Sequence, residues 1–113
     1  MENKSIPNAL KALYNDTNNS NLVDTAKNAM IKLIELLLTY YGNRIEEITN
    51  GLDSSEVKRQ KFDLLTSQMT DYIVAINDTI KGKHNPYSVV SFIHREINYD
   101  EKKGRFKIKR LNK

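Results

Sequence analysis

The longest run of regularly spaced hydrophobic residues lies in the first half of the chain. Apolar side chains recur there every three or four positions, as on the core-facing side of an α-helix. Leu36 and Leu38 fall outside this stripe and predict burial on more than one side. Asn21 is the predicted N-cap, Asp24 favours the positive end of the helix dipole, and Gly51 should end the helix in a left-handed conformation. The stripe includes Leu22, Ala26, Ala29, Met30, Leu33, Ile34, Leu37, Tyr40, Tyr41, Ile45 and Ile48.

A second helical stripe follows after a short turn. The sequence "DSSE" predicts a capping box, in which Asp53 caps the helix and Glu56 bonds back to it. The helical period then continues to Ile80, and Gly82 breaks the chain. Two long helices joined by a short turn predict an antiparallel hairpin, and Gly42 inside the first of them predicts a close packing contact or a bend. The second stripe includes Val57, Phe62, Leu65, Met69, Tyr72, Ile73 and Ile76.

Two shorter helices are predicted to flank this hairpin. Residues 5–16 place Ile6, Leu10, Leu13 and Tyr14 on one side of an amphipathic helix. Residues 85–97 begin with an Asn cap and a proline at the first helical position, a combination typical of a helix start. The pattern therefore predicts an all-α fold, an antiparallel four-helix bundle with two long central helices.

The hydrophobic period changes after Ile97. The sequence "RFKIK" alternates basic and apolar residues as a strand does, and the turn-rich "DEKKG" separates it from "INY". A short β-hairpin and a frayed basic tail are both compatible with this pattern. We divide the chain into a helical bundle domain, residues 1–100, and a basic C-terminal tail, residues 101–113.

Charge is divided unevenly along the 113 residues. Residues 1–100 contain 11 Lys or Arg and 13 Asp or Glu, whereas residues 101–113 contain seven basic residues and one acid, a local net charge of +6. Such a basic run attracts polyanions, and an aromatic ring among the cations can stack on a base while the cations meet phosphates. The candidate nucleic-acid or partner-binding residues are Lys102, Lys103, Arg105, Phe106, Lys107, Lys109 and Arg110. The alternative is that Phe106 and Ile108 clamp the tail to the bundle and the lysines only keep the chain soluble.

Composition narrows the cellular setting. Cysteine is absent, which excludes disulfides, thiolate metal sites and thiol nucleophiles and fits a reducing compartment. The longest apolar run, residues 29–41, is interrupted by Lys32 and Glu35, so no transmembrane segment is expected. The first residues lack the order of basic, apolar and small residues that marks a signal peptide. We therefore expect a soluble cytoplasmic protein.

The residue types that carry catalysis do not form a known motif. His84 and His94 have no acidic residue at metal-ligand spacing, so neither a zinc site nor another metal site is predicted. Ser54 and Ser55 lie at a helix start, where capping explains them. The four glycines are dispersed and cannot form a phosphate-binding loop. We therefore expect a protein that is not an enzyme and needs no cofactor.

The middle third of the chain resembles the helical region-2 modules of sigma-factor-like proteins carried by conjugative transposons. The similarity lies in "LLTYYGNRIEEI" and "DSSEVKRQKFDLLTSQM", and it is carried by Tyr41, Gly42, Ile45, Lys58 and Arg59. The resemblance implies contact with transcription machinery. The aromatic melting residues of that family are poorly matched by Phe92 and Tyr99, and no helix-turn-helix region follows, so promoter recognition is not carried over.

Three functions are compatible with the sequence. The first is a small regulatory binding protein whose basic C-terminus contacts an acidic partner, either DNA or RNA or the transcription machinery. The second follows from a resemblance in size, charge layout and helix order to bacteriocin immunity proteins, and implies binding of another protein or a membrane-embedded target. The third is a homodimer in which exposed Leu36 and Leu38 pair across a twofold axis.

Overall fold

Four helices make up most of the chain in a computed structural model, which describes residues 5–97 and the backbone of residues 99–100 and 105–106. The all-α prediction is confirmed for this part, including the two long helices. Two short strands follow the last helix and pair antiparallel, with Tyr99 opposite Phe106 and Asp100 opposite Arg105. The elements are α1 (Ser5–Asn18), α2 (Asp24–Asn50), α3 (Ser55–Ile80), α4 (Pro86–Glu96), β1 (Tyr99–Asp100) and β2 (Arg105–Phe106).

The two long helices, α2 and α3, form a helical hairpin. Close to the turn, Lys58 Nζ donates to the Thr49 carbonyl oxygen at 2.9 Å. Further from the turn, the Tyr40 hydroxyl donates to Gln68 Oε1 at 3.2 Å. Because the contacting positions move away from the turn together on both helices, α2 and α3 run antiparallel.

The two shorter helices, α1 and α4, each contact both long helices. Lys27 Nζ donates to the Asn18 carbonyl oxygen at 3.1 Å, which ties the start of α2 to the end of α1. The hydroxyls of Thr25 and Tyr87 lie 2.8 Å apart, so α4 begins beside the first turn of α2. Gly82, whose φ of 87° lies in the left-handed region, reverses the chain between α3 and α4.

The core lies along the seam between the four helices, and the predicted stripes supply it. The most deeply buried side chains come from all four helices, and each contributes about 1.5–3 kcal/mol relative to an exposed position. They include Leu10, Met30, Leu33, Ile34, Leu37, Met69, Ile76 and Ile93. Two threonines are also fully buried. Thr17 Oγ1 donates to the Leu13 carbonyl oxygen and Thr79 Oγ1 to that of Ala75, so each hydroxyl is satisfied within its own helix.

Leu36 and Leu38 are half-buried and pack against the core. The expectation that they are buried on a second side of α2 is confirmed, because neighbouring helices cover α2 beyond its central stripe. The hypothesis of a dimer through exposed Leu36 and Leu38 is wrong in its premise, since neither side chain is exposed.

The helix starts follow the sequence at one of three predicted caps. Asn85 Oδ1 accepts from the backbone N–H of Tyr87 at 2.8 Å and of Ser88 at 3.2 Å, as predicted. The Asn21 prediction is wrong, because α2 begins at Asp24 and its N-cap is Val23, which makes no side-chain capping bond. The Ser20 hydroxyl accepts from the Leu22 N–H, so the residues before α2 serve the turn that ends α1.

The cap of α3 is Ser54, and the prediction of Asp53 is wrong. Ser54 Oγ accepts from the Val57 backbone N–H at 3.2 Å. The Asp53 carboxylate pairs instead with Lys61 Nζ, two turns along the helix. Ser54, one residue nearer to the helix, therefore accepts from the free N–H group, and Asp53 forms an ion pair with Lys61.

Two glycines, one at the end of α2 and one inside it, differ from the predictions. Gly51 ends α2 as predicted, but its φ of −73° and ψ of 172° are extended, so the predicted left-handed conformation is wrong. Of the two predictions for Gly42, a close packing contact or a bend, the close contact is wrong. Gly42 is exposed, and among the described residues no neighbouring group lies within 4 Å of where a β-carbon would be.

Replacing Ser54 by Ala is expected to lower the free energy of unfolding by about 1 kcal/mol, because the Val57 N–H loses its acceptor. Asp53→Ala is the matched control and removes only an exposed ion pair, worth a few tenths of a kcal/mol. Urea unfolding followed by far-UV circular dichroism measures both. If Asp53→Ala lowers the free energy of unfolding more than Ser54→Ala does, Asp53 is the N-cap of α3.

Replacing Gly42 by Ala is expected to raise the free energy of unfolding by about 0.5–1 kcal/mol, since alanine restricts the unfolded chain and nothing in α2 opposes the added methyl group. Gly82→Ala has the opposite expected sign and costs about 1 kcal/mol or more, because its backbone is left-handed. The same urea titration reports both values. Destabilisation by Gly42→Ala would reveal a contact that the described residues do not show.

Candidate functional site

The predicted binding residues fall largely beyond the described part of the chain. Arg105 and Phe106 form β2, whose backbone pairs with β1. The predicted residues that lie outside the described residues are Lys102, Lys103, Lys107, Lys109 and Arg110. β1, which immediately precedes the basic segment in the chain, contacts α4.

The C-terminal end of α4 is the part of the helical domain from which the basic segment leaves. His94 and Arg95 lie in the last turn of α4, where positive charge complements the partial negative charge of a helix C-terminus. Ile93 and Ile97 are buried in the same turn and hold it against the core. The last turn of α4 is therefore held in place by its buried isoleucines, while His94 and Arg95 supply polar groups in the same turn.

A chain of hydrogen bonds joins α2 and α3 close to this end of α4. Gln68 accepts from the Tyr40 hydroxyl at 3.2 Å, and its Nε2 donates to the Tyr72 hydroxyl at 2.9 Å. The amide of Gln68 therefore bridges two phenols that belong to different helices. Hydrogen bonds between partly buried polar groups restrict the relative positions of the helices that carry them. This bridge therefore restricts how α2 packs against α3.

The pKa of the Tyr72 phenol is clearly raised by the fold. Its side chain is only 4% exposed. The pKa of Tyr72 is raised to about 12, chiefly by burial; the hydrogen bond from Gln68 acts to lower this pKa, and the negative charge of Glu96 acts to raise it. Glu96 is the last residue of α4, so its influence shows that the end of α4 lies near Tyr72. A phenol with such a pKa stays protonated at neutral pH and acts here as a hydrogen-bonding group.

The surface of residues 5–97 is close to neutral. This part contains 10 Lys or Arg and 11 Asp or Glu. Several of these charges form short-range pairs, Arg44 with Glu47, Arg59 with Glu56 and Lys61 with Asp53. Exposed pairs of this kind contribute at most about 1 kcal/mol each. They do, however, cancel local charge, so the basic segment stands out from the helices that carry it.

Other kinds of site find little support within residues 5–97. No group of three His, Asp or Glu side chains there is placed to hold a metal ion. His84 faces Asp78 at 3.9 Å. A shallow depression of about 330 Å³ is lined by four residues of α2: Asn43, Glu46, Glu47 and Asn50. None of the helices in the described part has both the length and the apolar character needed to cross a membrane.

The residues that carry the sigma-factor-like resemblance have local roles in the α2–α3 hairpin. Tyr41 is buried in the core, and Ile45 is partly buried and packs against the core. Lys58 bonds to the last turn of α2, and Arg59 pairs with Glu56 of its own helix. The stability of a helical hairpin explains these four residues, and the resemblance stays a hypothesis.

No protein-family model, curated protein or solved structure matches the chain.

The sequence-based prediction missed the bridge formed by Tyr40, Gln68 and Tyr72. Gln68 and Tyr72 are four residues apart on α3, a spacing at which helical side chains meet, so half of the bridge was open to inference. Tyr40 lies 28 residues away from Gln68 along the chain. Only the packing of α2 on α3 brings it within reach.

Spectrophotometric titration is expected to show a phenol that ionises near pH 12, absent in Tyr72→Phe and retained in Tyr87→Phe. Because the folded pKa of about 12 lies above the ordinary value of 10.0, the unfolded chain loses this proton first as the pH rises. Tyr72 therefore stabilises the fold fully below about pH 10, and the stabilisation is lost between pH 10 and 12. Between pH 10 and 12, the free energy of unfolding measured with urea should fall less in Tyr72→Phe than in the unsubstituted protein. If the phenol that ionises near pH 12 is still present in Tyr72→Phe, the high pKa belongs to another tyrosine.

Proposed function

We propose that the chain is a non-enzymatic regulatory binding protein, in which an antiparallel four-helix bundle presents the basic C-terminal segment to nucleic acid or to transcription machinery. The observation that carries the proposal is the separation of charge. Residues 101–113 hold a net charge of +6, whereas residues 5–97 hold one more acidic than basic residue. A chain that needed charge only for solubility has no reason to concentrate it in one segment.

Phosphate groups fit this segment chemically. Each Lys or Arg that neutralises a phosphate releases a condensed counterion, which supplies sequence-independent affinity. Lysine acts as a point charge, while the guanidinium of arginine can bond a phosphate through two N–H groups. Phe106 adds an aromatic ring that is able to stack on an unpaired base. The segment thus contains both kinds of contact that single-stranded nucleic acids use.

The helical domain supplies a fixed base for the segment. The strand that immediately precedes the segment in the chain, β1, contacts α4. Ile93 and Ile97 anchor the turn in the core, and the Tyr40–Gln68–Tyr72 bridge joins the two long helices below it. A partner bound to the segment would therefore also meet the α4 end of the helical domain.

Fluorescence anisotropy with labelled single- and double-stranded oligonucleotides tests the proposal in the full chain. The affinity for duplex DNA is expected to fall with salt, with a log–log slope of about −0.9 for each phosphate contacted. The triple variant Lys107→Gln, Lys109→Gln, Arg110→Gln should bind more weakly and have a shallower slope, by up to about 0.9 per lost contact. This variant leaves the described helices unchanged.

The matched control changes three exposed lysines of the helical domain, Lys11→Gln, Lys32→Gln and Lys83→Gln. It removes the same net charge and should keep most of the affinity if the C-terminal segment makes the contacts. Equal losses in both variants would show that net charge alone governs binding. Absence of binding to either oligonucleotide at low salt would reject the nucleic-acid proposal and make the immunity-type alternative the next hypothesis to test, by protection of bacteriocin-sensitive cells on expression.

A further inference from the structure

The turn between α2 and α3 contains the dipeptide Asn50–Gly51, which the fold uses only as a helix end. Asn50 is the last residue of α2, and its side chain is exposed. Its amide makes no hydrogen bond within the described part of the chain. The following residues, 51–54, are not helical. An asparagine followed by glycine at a helix end is open to a reaction between its side chain and the next backbone nitrogen.

Glycine is not required at position 51 by the backbone conformation. Its φ of −73° and ψ of 172° are accessible to any L-residue. A β-carbon there would lie 3.2 Å from the Glu47 carbonyl oxygen, so an added side chain requires a backbone shift of a few tenths of an ångström. The distinctive property of Gly51 is therefore that no side chain shields its nitrogen from the Asn50 amide.

We propose that Asn50 is a site of spontaneous deamidation through a cyclic imide. The Gly51 backbone nitrogen loses its proton to base and attacks Cγ of Asn50, forming the ring N–C bond while the C–N bond of the side-chain amide breaks and ammonia leaves. Water then opens the ring at either carbonyl. One opening gives aspartate, and the other gives isoaspartate, in which the main chain runs through the former side chain.

The contacts at the turn oppose this reaction only weakly. The Gly51 N–H donates to the Ile48 carbonyl oxygen at 3.3 Å, beyond the usual range of about 2.7–3.2 Å. Attack requires release of this one bond and rotation of the last residue of α2, and terminal helical turns open more readily than interior ones. Asparagine is among the residues that are chemically labile on heating.

Asn43 provides an internal comparison on the same helix. It lies seven residues before Asn50 and lines the same shallow depression, and it is likewise exposed. The nitrogen that would attack its side chain belongs to Arg44, inside α2, where the N–H is held by the helical hydrogen-bond ladder. Both asparagines are exposed. They differ in the residue that follows: Gly51 lies outside the helix, whereas Arg44 lies inside it.

The products would alter the α2–α3 turn. Either one places a new negative charge at the C-terminal end of α2, near Glu46 and Glu47, where the helix dipole already disfavours anions. Isoaspartate also lengthens the main chain by one carbon between the buried Ile48 and the cap of α3. We therefore expect the modified chain to be less stable than the original one.

Peptide mapping by mass spectrometry tests this inference. Full-length protein is incubated at mildly alkaline pH and physiological temperature, and samples are taken over weeks. The peptide containing Asn50 should gain about 1 Da and yield both aspartate and isoaspartate, while Asn43 stays unmodified. Gly51→Ala should slow the change at least about tenfold, because the added β-carbon shields the nitrogen. Asn50→Gln should abolish it, since glutamine would have to close a larger ring.

Three results would overturn the inference. The first is an unmodified Asn50 in folded protein under conditions that modify the same peptide once it is unfolded in urea. The second is aspartate without isoaspartate, which indicates direct hydrolysis of the side chain. The third is an equal rate in Gly51→Ala, provided that circular dichroism shows this variant to be folded.

Discussion

The fold depends on covering the wide apolar face of α2. This helix contributes more buried side chains than any other described element, and Leu33 and Leu37 at its centre have no exposed surface. A helix with such a face cannot remain in water alone, because burial of each large apolar side chain is worth about 1.5–3 kcal/mol. Contacts of α2 with α1, α3 and α4 follow from this requirement, and they leave even Leu36 and Leu38 half-buried.

Polar groups inside the helical domain restrict how the apolar faces can meet. Apolar contacts alone tolerate sliding and rotation of one helix on another, whereas a hydrogen bond has a preferred distance and direction. The Tyr40–Gln68–Tyr72 bridge imposes such a restriction between α2 and α3. Throughout the described residues no buried side-chain nitrogen or oxygen lacks a partner. The interior therefore specifies one arrangement of the helices without the cost of an unpaired polar group.

The distribution of charge divides the chain into two parts. Charges on the described helices are balanced and partly paired at short range, so they favour folding without creating a strong field. The basic segment contains seven basic residues and one acidic residue, Glu101, so most of its positive charge is not balanced within the segment. Such a segment gains most from contact with an external anion. This difference is why the proposed function is assigned to the segment and the helices are assigned the role of support.

The sequence by itself determined the four helices, the two long central ones, the Asn85–Pro86 start of α4 and the break at Gly82. Each depends on hydrophobic period or on the local chemistry of adjacent residues, and neither requires knowledge of distant parts of the chain. For the candidate site it likewise determined the charge of residues 101–113. The tertiary structure decided what depends on partners elsewhere: the pairing of Asp53 with Lys61, which leaves Ser54 as the cap, and the reach of Tyr40 to Gln68. Those outcomes are set by which side chains packing brings together, and separation along the sequence does not contain that information.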